Sequence, residues 1–268
     1  PLTRHPGIDH ITFTGSVQTG RAVMKAAADE ITRVVLELGG KSPVIILGDC
    51  NREQALEGVM GAIFENAGQI CSAGSRLIIE RSIHADFVAE LATRAKALKL
   101  GHGLRRPDIG PVNSAAHLEK IAGFVERARA SGSEIVTGGQ ITTDPETGNG
   151  WFFEPTIIDR ASESDEVVRD EIFGPVLTVQ VADDADHALA LANNTMFGLV
   201  AGIYTGNFAN AHRLARSLDA GQVYINEYFA GGIEVPFGGN KHSGFGREKG
   251  LEGLKSYCKT KSIAGKII

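Results

Sequence analysis

No apolar run in this chain approaches the ~18 residues that a membrane-spanning helix needs, and no charged-then-apolar leader opens it. Basic charge is not in excess either: 27 Lys+Arg stand against 32 Asp+Glu, a net charge of −5. That mild acidity is spread along the chain and argues against nucleic acid and against an anionic membrane surface as partners. Cysteine is scarce and odd in number. Cys50, Cys71 and Cys258 lie far apart, which suits a reducing, cytoplasmic setting rather than a disulfide framework. No histidine or cysteine grouping has metal-ligand spacing, so no metal is expected. Internal repeats, coiled-coil heptads and low-complexity segments are also lacking.

The 268 residues are 43% hydrophobic and 22% charged, which is ordinary for a globular protein of one or two domains. Glycine is the outlier, with 33 residues, about 12% against a usual ~7%. The glycines cluster at Gly39-Gly40, Gly138-Gly139, Gly231-Gly232 and from Gly238 to Gly250, marking tight turns and close backbone approaches. The chain starts on Pro1 and enters a core-like strand at residues 8–13, as the middle of a longer protein would.

Strand-like runs at residues 8–13, 34–38, 43–47, 76–80, 134–137, 176–181, 199–204 and 222–226 alternate with helical patterns. The helical patterns fall at 16–29, 52–66, 85–98, 117–130, 185–193 and 208–218. Ala55, Val59, Ala62 and Ile63, for example, stack on one helical face. Such alternation needs crossover connections and predicts an α/β fold: a mostly parallel twisted sheet with helices on both faces. Residues 260–268 read as a terminal strand.

Five local patterns could carry chemistry. In Phe13-Thr14-Gly15-Ser16, a glycine turn between strand and helix leaves free N–H groups that can meet an anion such as a dinucleotide pyrophosphate. A plain strand–helix turn explains it equally well. Glu37-Leu38-Gly39-Gly40-Lys41 puts a carboxylate at a strand end, where burial could make it a base for water; an ion pair is the simpler alternative. Asn66-Ala67-Gly68-Gln69-Ile70-Cys71-Ser72 sets a thiol among small polar residues after a helix stop, which favours exposure and reactivity over a core role. Glu171-Ile172-Phe173-Gly174-Pro175 and the run Pro236–Glu248 pair rigid turns with aromatic and charged groups, and either could be purely structural.

Taken together and in this order, the five patterns resemble the aldehyde dehydrogenase superfamily from residue 8 to the C-terminus. The Glu-Leu-Gly-Gly-Lys and Asn-x-Gly-Gln-x-Cys runs are highly specific to it. The resemblance implies Cys71 as nucleophile and Glu37 as general base, and NAD or NADP as cofactor. Thr14, Gly15 and Ser16 would lie at the diphosphate, Leu38 and Gly39 at the nicotinamide, and Glu171 with Phe173 at its ribose. Tyr228, Phe229 and Phe237 would wall the aldehyde tunnel. The implied reaction adds the Cys71 thiolate to the carbonyl, passes hydride to the nicotinamide, and hydrolyses the thioester with water activated by Glu37.

Family members are nearly twice as long, so the chain is expected to lack most of the dinucleotide domain. Residues 1–38 would be the tail of that domain, 39–245 the catalytic domain, and 246–268 a segment ending in an oligomerisation strand, making a dimer or tetramer. Lys259 stands where many relatives carry an acidic residue. Two other readings use the same residues: a cysteine-dependent esterase without redox chemistry, and a non-catalytic assembly fragment.

Overall fold

A computed structural model describes residues 2–267; Pro1, on which the reading of the chain's start rested, and Ile268, the end of the expected terminal strand, lie outside the described residues. The centre is a seven-stranded sheet in the order Gln222–Ile225, Val200–Tyr204, Pro43–Ile46, Arg76–Glu80, Val176–Ala182, Thr156–Asp159, Glu134–Thr137. Every neighbouring pair is parallel except the last, where Glu134–Thr137 runs antiparallel to Thr156–Asp159. The inner strands read as unbroken apolar runs because both of their faces are covered.

Val44, Ile46, Leu77 and Ile79 pack on one face against helices Arg52–Phe64 and His84–Ala97, while Ile45, Ile78 and Ile203 pack on the other against Ala185–Asn193 and Phe208–Ser217. Each such side chain contributes ~1.5–3 kcal/mol by leaving water. Helix starts follow the capping residues: Asn51 accepts from the Gln54 N–H, Ser114 from His117, and Asp184 from Asp186 and His187. Helix Ala115–Ala130 covers the far end of the sheet with Leu118, Ile121 and Val125.

A second, much smaller sheet stands beside it. His10–Thr14 runs parallel to Arg33–Glu37, which takes the two-residue strand Gly244–Phe245 on its other edge, antiparallel. Helix Val17–Ala27 lies on this sheet, and only Val23, Leu36 and Leu38 are buried at the contact. No helix among the described residues is long and apolar enough to cross a membrane.

The expected strand at 260–268 has no regular structure through residue 267, and Ile263 and Ile267 are exposed. A strand exists only through a hydrogen-bonded neighbour, and no strand among the described residues pairs with that segment, whose expected partner is a neighbouring subunit's sheet. Helix Gly250–Ser256 precedes it, entered through Lys249 at a positive φ of 58°.

Candidate active site

The two strands of the small sheet end side by side. The Gly15 N–H donates to the Glu37 carbonyl at 3.0 Å, so the Thr14-Gly15-Ser16 turn and the Glu37-Leu38-Gly39 segment leave the sheet together, at its carboxyl edge. Ser16 caps helix Val17–Ala27 by accepting from the Thr19 N–H. Ser243 ties the second segment down, its carbonyl accepting from the Leu38 N–H and its hydroxyl donating to the Gly39 carbonyl at 2.7 Å.

Glu37 is thereby held 3% exposed, with neither carboxylate oxygen hydrogen-bonded. Desolvation, reinforced by the charge of Glu248 and opposed by Arg247, pushes its carboxyl up to about 8. A carboxylate of that basicity can take a proton from water near neutral pH.

Cys71 arrives from the large sheet. Helix Arg52–Phe64 ends, and Asn66, Ala67 and Gly68 follow with φ of 51°, 56° and 68°, a left-handed run that reverses the chain ahead of the thiol. Gly68 has no alternative here, because a Cβ would lie 2.1 Å from the Gly174 carbonyl oxygen. The loop is pinned behind Cys71, where Ala73 N–H donates to Ile70 and Gly74 N–H to Ala62, before the chain enters Arg76–Glu80. In front of it, a Cβ on Gly40 would lie 2.5 Å from the Cys71 carbonyl oxygen, so the glycine pair lets the two loops touch.

The thiol is half-buried, not exposed as its small neighbours suggest; Cys258 is the exposed cysteine. Burial and the charges of Glu171 and Glu37 raise the Cys71 thiol, while the N–H groups of Ser72 and Cys71 favour the thiolate.

Glu171 reaches the same place from the loop before Val176–Ala182, its Oε1 accepting from the Gly40 N–H at 3.0 Å. Phe173 follows in a left-handed conformation, its carbonyl hydrogen-bonded to His117 Nε2 at 2.6 Å. The Thr14–Ser16, Glu37–Gly39 and Glu171–Phe173 segments and Cys71 all border one cleft of about 320 Å³.

Its remaining wall is His117 and Lys120, which sequence reasoning missed. On helix Ala115–Ala130 they read as ordinary solvent-facing positions, and nothing local marks them.

Of the three expected tunnel residues, Tyr228 and Phe237 pack with Cys71 against Leu199, Val200 and Tyr224, and Phe229 meets the Tyr228 ring edge-on at 4.9 Å. The cleft does not include them, and Cys71 is the residue common to both groups. The run Pro236–Glu248 serves Glu37: Gly238 lies against its Oε1, and Glu248 and Arg247 set its charge environment.

Comparison with known proteins matches the description "Aldehyde dehydrogenase family" over residues 1–263. The chain is 42% identical over 265 residues to 4-trimethylaminobutyraldehyde dehydrogenase A of Danio rerio, covering 98% of this chain and 52% of that one. It is 41% identical over 263 residues to betaine aldehyde dehydrogenase of Bacillus subtilis, with 98% and 54% covered. Among solved structures, betaine aldehyde dehydrogenase from Staphylococcus aureus in complex with NAD+ superposes with a TM-score of 0.93 at 39% identity, covering 96% of this chain and 51% of that one. A point mutant of the same protein, with NAD+ and a BME-modified cysteine, gives the same score. The chain spans about half the length of the curated relatives it matches.

Proposed function

This chain belongs to the aldehyde dehydrogenase family, and from that premise we propose that it carries the catalytic part of an NAD(P)-dependent enzyme oxidising an aldehyde to a carboxylic acid. The observation that supports this most is the meeting of Cys71 and Glu37, from two different sheets, beside one cleft bordered by a strand–helix turn and the half-buried Glu171 carboxylate. That residue set fits the nicotinamide end of a dinucleotide. Thr14, Gly15 and Ser16 would meet the diphosphate at a helix start, Leu38 and Gly39 the ring, and Glu171 the ribose hydroxyls, with Phe173 packed beside them. Between NAD and NADP the residues here do not choose. When bound, the nicotinamide supplies the two-electron acceptor.

The chain's own residues do the rest. Cys71 loses its proton and adds to the aldehyde carbonyl, with backbone N–H groups of the loop facing the developing oxyanion. Oxidation leaves a thioester on Cys71. Glu37, with a proton affinity centred near 8, then takes a proton from water as that water attacks the thioester, releasing acid and thiol.

The aromatic group of Tyr228, Phe229 and Phe237 favours a cationic or apolar aldehyde, and relatives named for trimethylammonium aldehydes favour the cation. Betaine aldehyde turned over no faster than a neutral analogue of equal size would exclude that substrate class.

Three coarser proposals accompany this one. The chain divides at residues 38 and 245 as the sequence suggests. It works in the cytoplasm. It also assembles as a dimer or tetramer through its exposed C-terminal Leu251, Leu254, Tyr257 and Ile263. A monomer by light scattering at tens of micromolar would overturn the assembly.

The central test uses a nitrophenyl ester, and separately an aldehyde with saturating NAD. The purified chain should hydrolyse the ester through Cys71 yet oxidise aldehyde weakly, because positioning the nicotinamide is worth ~7–11 kcal/mol and most of its holding surface lies elsewhere. Ester hydrolysis that survives Cys71→Ala would refute the assignment of the nucleophile.

A further inference from the structure

We propose that Tyr228 is a positioning residue of the Cys71 loop, acting through its hydroxyl on the peptide next to the thiol and not only as a tunnel wall. The proposal rests on the assignment of Cys71 as nucleophile. The Tyr228 hydroxyl donates to the Ser72 carbonyl at 3.0 Å. Its ring has no freedom to do otherwise. A Cβ on Gly74 would come within 3.3 Å of its Cζ, and one on Gly202 within 2.9 Å of its Cδ2, so the ring lies in a slot between two backbones. Tyr224 and Phe229 close the slot, each with its ring centre 4.9 Å away.

The consequence for the thiol follows from peptide planarity. The Cys71 carbonyl and the Ser72 N–H belong to one rigid unit. Gly40 packs against the carbonyl end of that unit, so closely that a Cβ there would lie 2.5 Å from the oxygen, which leaves that end little room to rotate. The Tyr228 bond fixes the next peptide unit through the Ser72 carbonyl. The Ser72 N–H is therefore held from both sides, and with the Cys71 N–H it is one of the two groups that favour the Cys71 thiolate. Ser72 is itself buried, so no water competes for these contacts. A hydrogen bond to a charged group is among the stronger ones, and loosening it should raise the Cys71 midpoint.

Tyr228→Phe keeps the ring in its slot and removes only the hydroxyl. The measurement is iodoacetamide alkylation against pH, with Cys71, Cys50 and Cys258 followed in the same sample by peptide mass mapping. The midpoint for Cys71 should rise by about half a unit or more, a slowing of about threefold or greater at pH 7. Cys50 and Cys258 should keep their profiles. Tyr204→Phe is the control, because the Tyr204 hydroxyl is buried and bonds to nothing. An unchanged Cys71 profile in Tyr228→Phe overturns the proposal. So does a common change at all three cysteines, which would mean general loosening, or an equal shift in Tyr204→Phe. If ester hydrolysis instead survives Cys71→Ala, the nucleophile assignment fails whatever Tyr228 does.

Discussion

The two sheets differ in almost every physical respect, and the candidate site takes one catalytic group from each. In the large sheet, Val44, Ile45, Ile46, Leu77, Ile78 and Ile79 are all fully buried between helix layers. In the small one, His10–Thr14 alternates between half-buried and exposed, its outer edge pairs with no other strand among the described residues, and three residues make the buried contact. Cys71 hangs from the rigid layer, on a loop tied at both ends. Glu37 ends the thin layer, and its burial comes from the Gly238–Glu248 run folding over it. The contrast suggests a division of labour: the thick layer supplies placement, while the thin one supplies a perturbed proton affinity at some cost in stability.

Removing the nucleophile should give the largest effect, and should spare the fold. Cys71→Ala is expected to cut ester hydrolysis ~10³-fold or more with the thermal midpoint little changed. A comparable loss in Cys50→Ala would break the contrast, since Cys50 packs against the core of the large sheet and does not border the cleft.

Next comes stability. Leu77→Ala in the large sheet should cost ~2–5 kcal/mol, and Ile11→Ala in the small one about 1 kcal/mol or less, by urea denaturation. Equal costs would mean that the small sheet is better packed than its exposure indicates.

The large sheet was the more legible of the two. Its buried strands read as apolar runs and its helices carry capping residues, so the alternation of elements emerged from the sequence with ends off by a residue or two. The strand Thr156–Asp159 escaped notice because Pro155 and the polar Asp159-Arg160 obscure so short a run. The pairs Ile141–Thr142 with Phe152–Phe153, and Asn240–Lys241 with Phe197–Gly198, are too short to carry any period. The terminal segment reads as a strand for a neighbouring subunit's sheet, and within this chain it finds no partner among the described residues.

In the site, the turn, acid, thiol and Glu171–Phe173 segments were each visible as local patterns. That they meet in one cleft followed only from the family resemblance. His117 and Lys120 stayed hidden because a helix position acquires a role there only through tertiary contact. The raised proton affinity of Glu37 was legible only as something burial could do, since the fold alone supplies that burial, and Glu248 and Arg247 add their opposed charges from more than two hundred residues away.

A third experiment probes the cost attached to the thin layer. Unfolded Glu37 would titrate near 4.5 and the folded one near 8. Between those values the folded protein keeps a proton that the unfolded chain has released. This contribution to stability is therefore intact below about pH 4.5 and is lost as pH rises through about 8. Glu37→Gln cannot ionise and escapes the loss. Its thermal midpoint should match the parent near pH 5 and exceed it by several degrees near pH 9. A parallel offset at both pH values would show that the carboxyl is not protonated by the fold.

The smallest effect is the most specific to the small sheet's surroundings. Glu248 raises the Glu37 proton affinity by charge, and Arg247 lowers it. Glu248→Gln should shift the pH midpoint of thioester hydrolysis downward, and Arg247→Gln should shift it upward, each by a fraction of a unit because both side chains are only half-buried. The readout is the rate of the hydrolytic step against pH, after a burst from an activated ester. Opposite signs separate a charge effect from a packing effect, since lost packing around Glu37 would admit water and lower the midpoint in both variants. Raised salt should shrink both shifts while leaving the main displacement of Glu37, which comes from desolvation, in place. If instead salt brought the parent's midpoint back toward the ordinary carboxylate range, charge and not burial would be the dominant cause. The thin layer would then owe its perturbed acid to two surface neighbours and not to the way the chain folds over it.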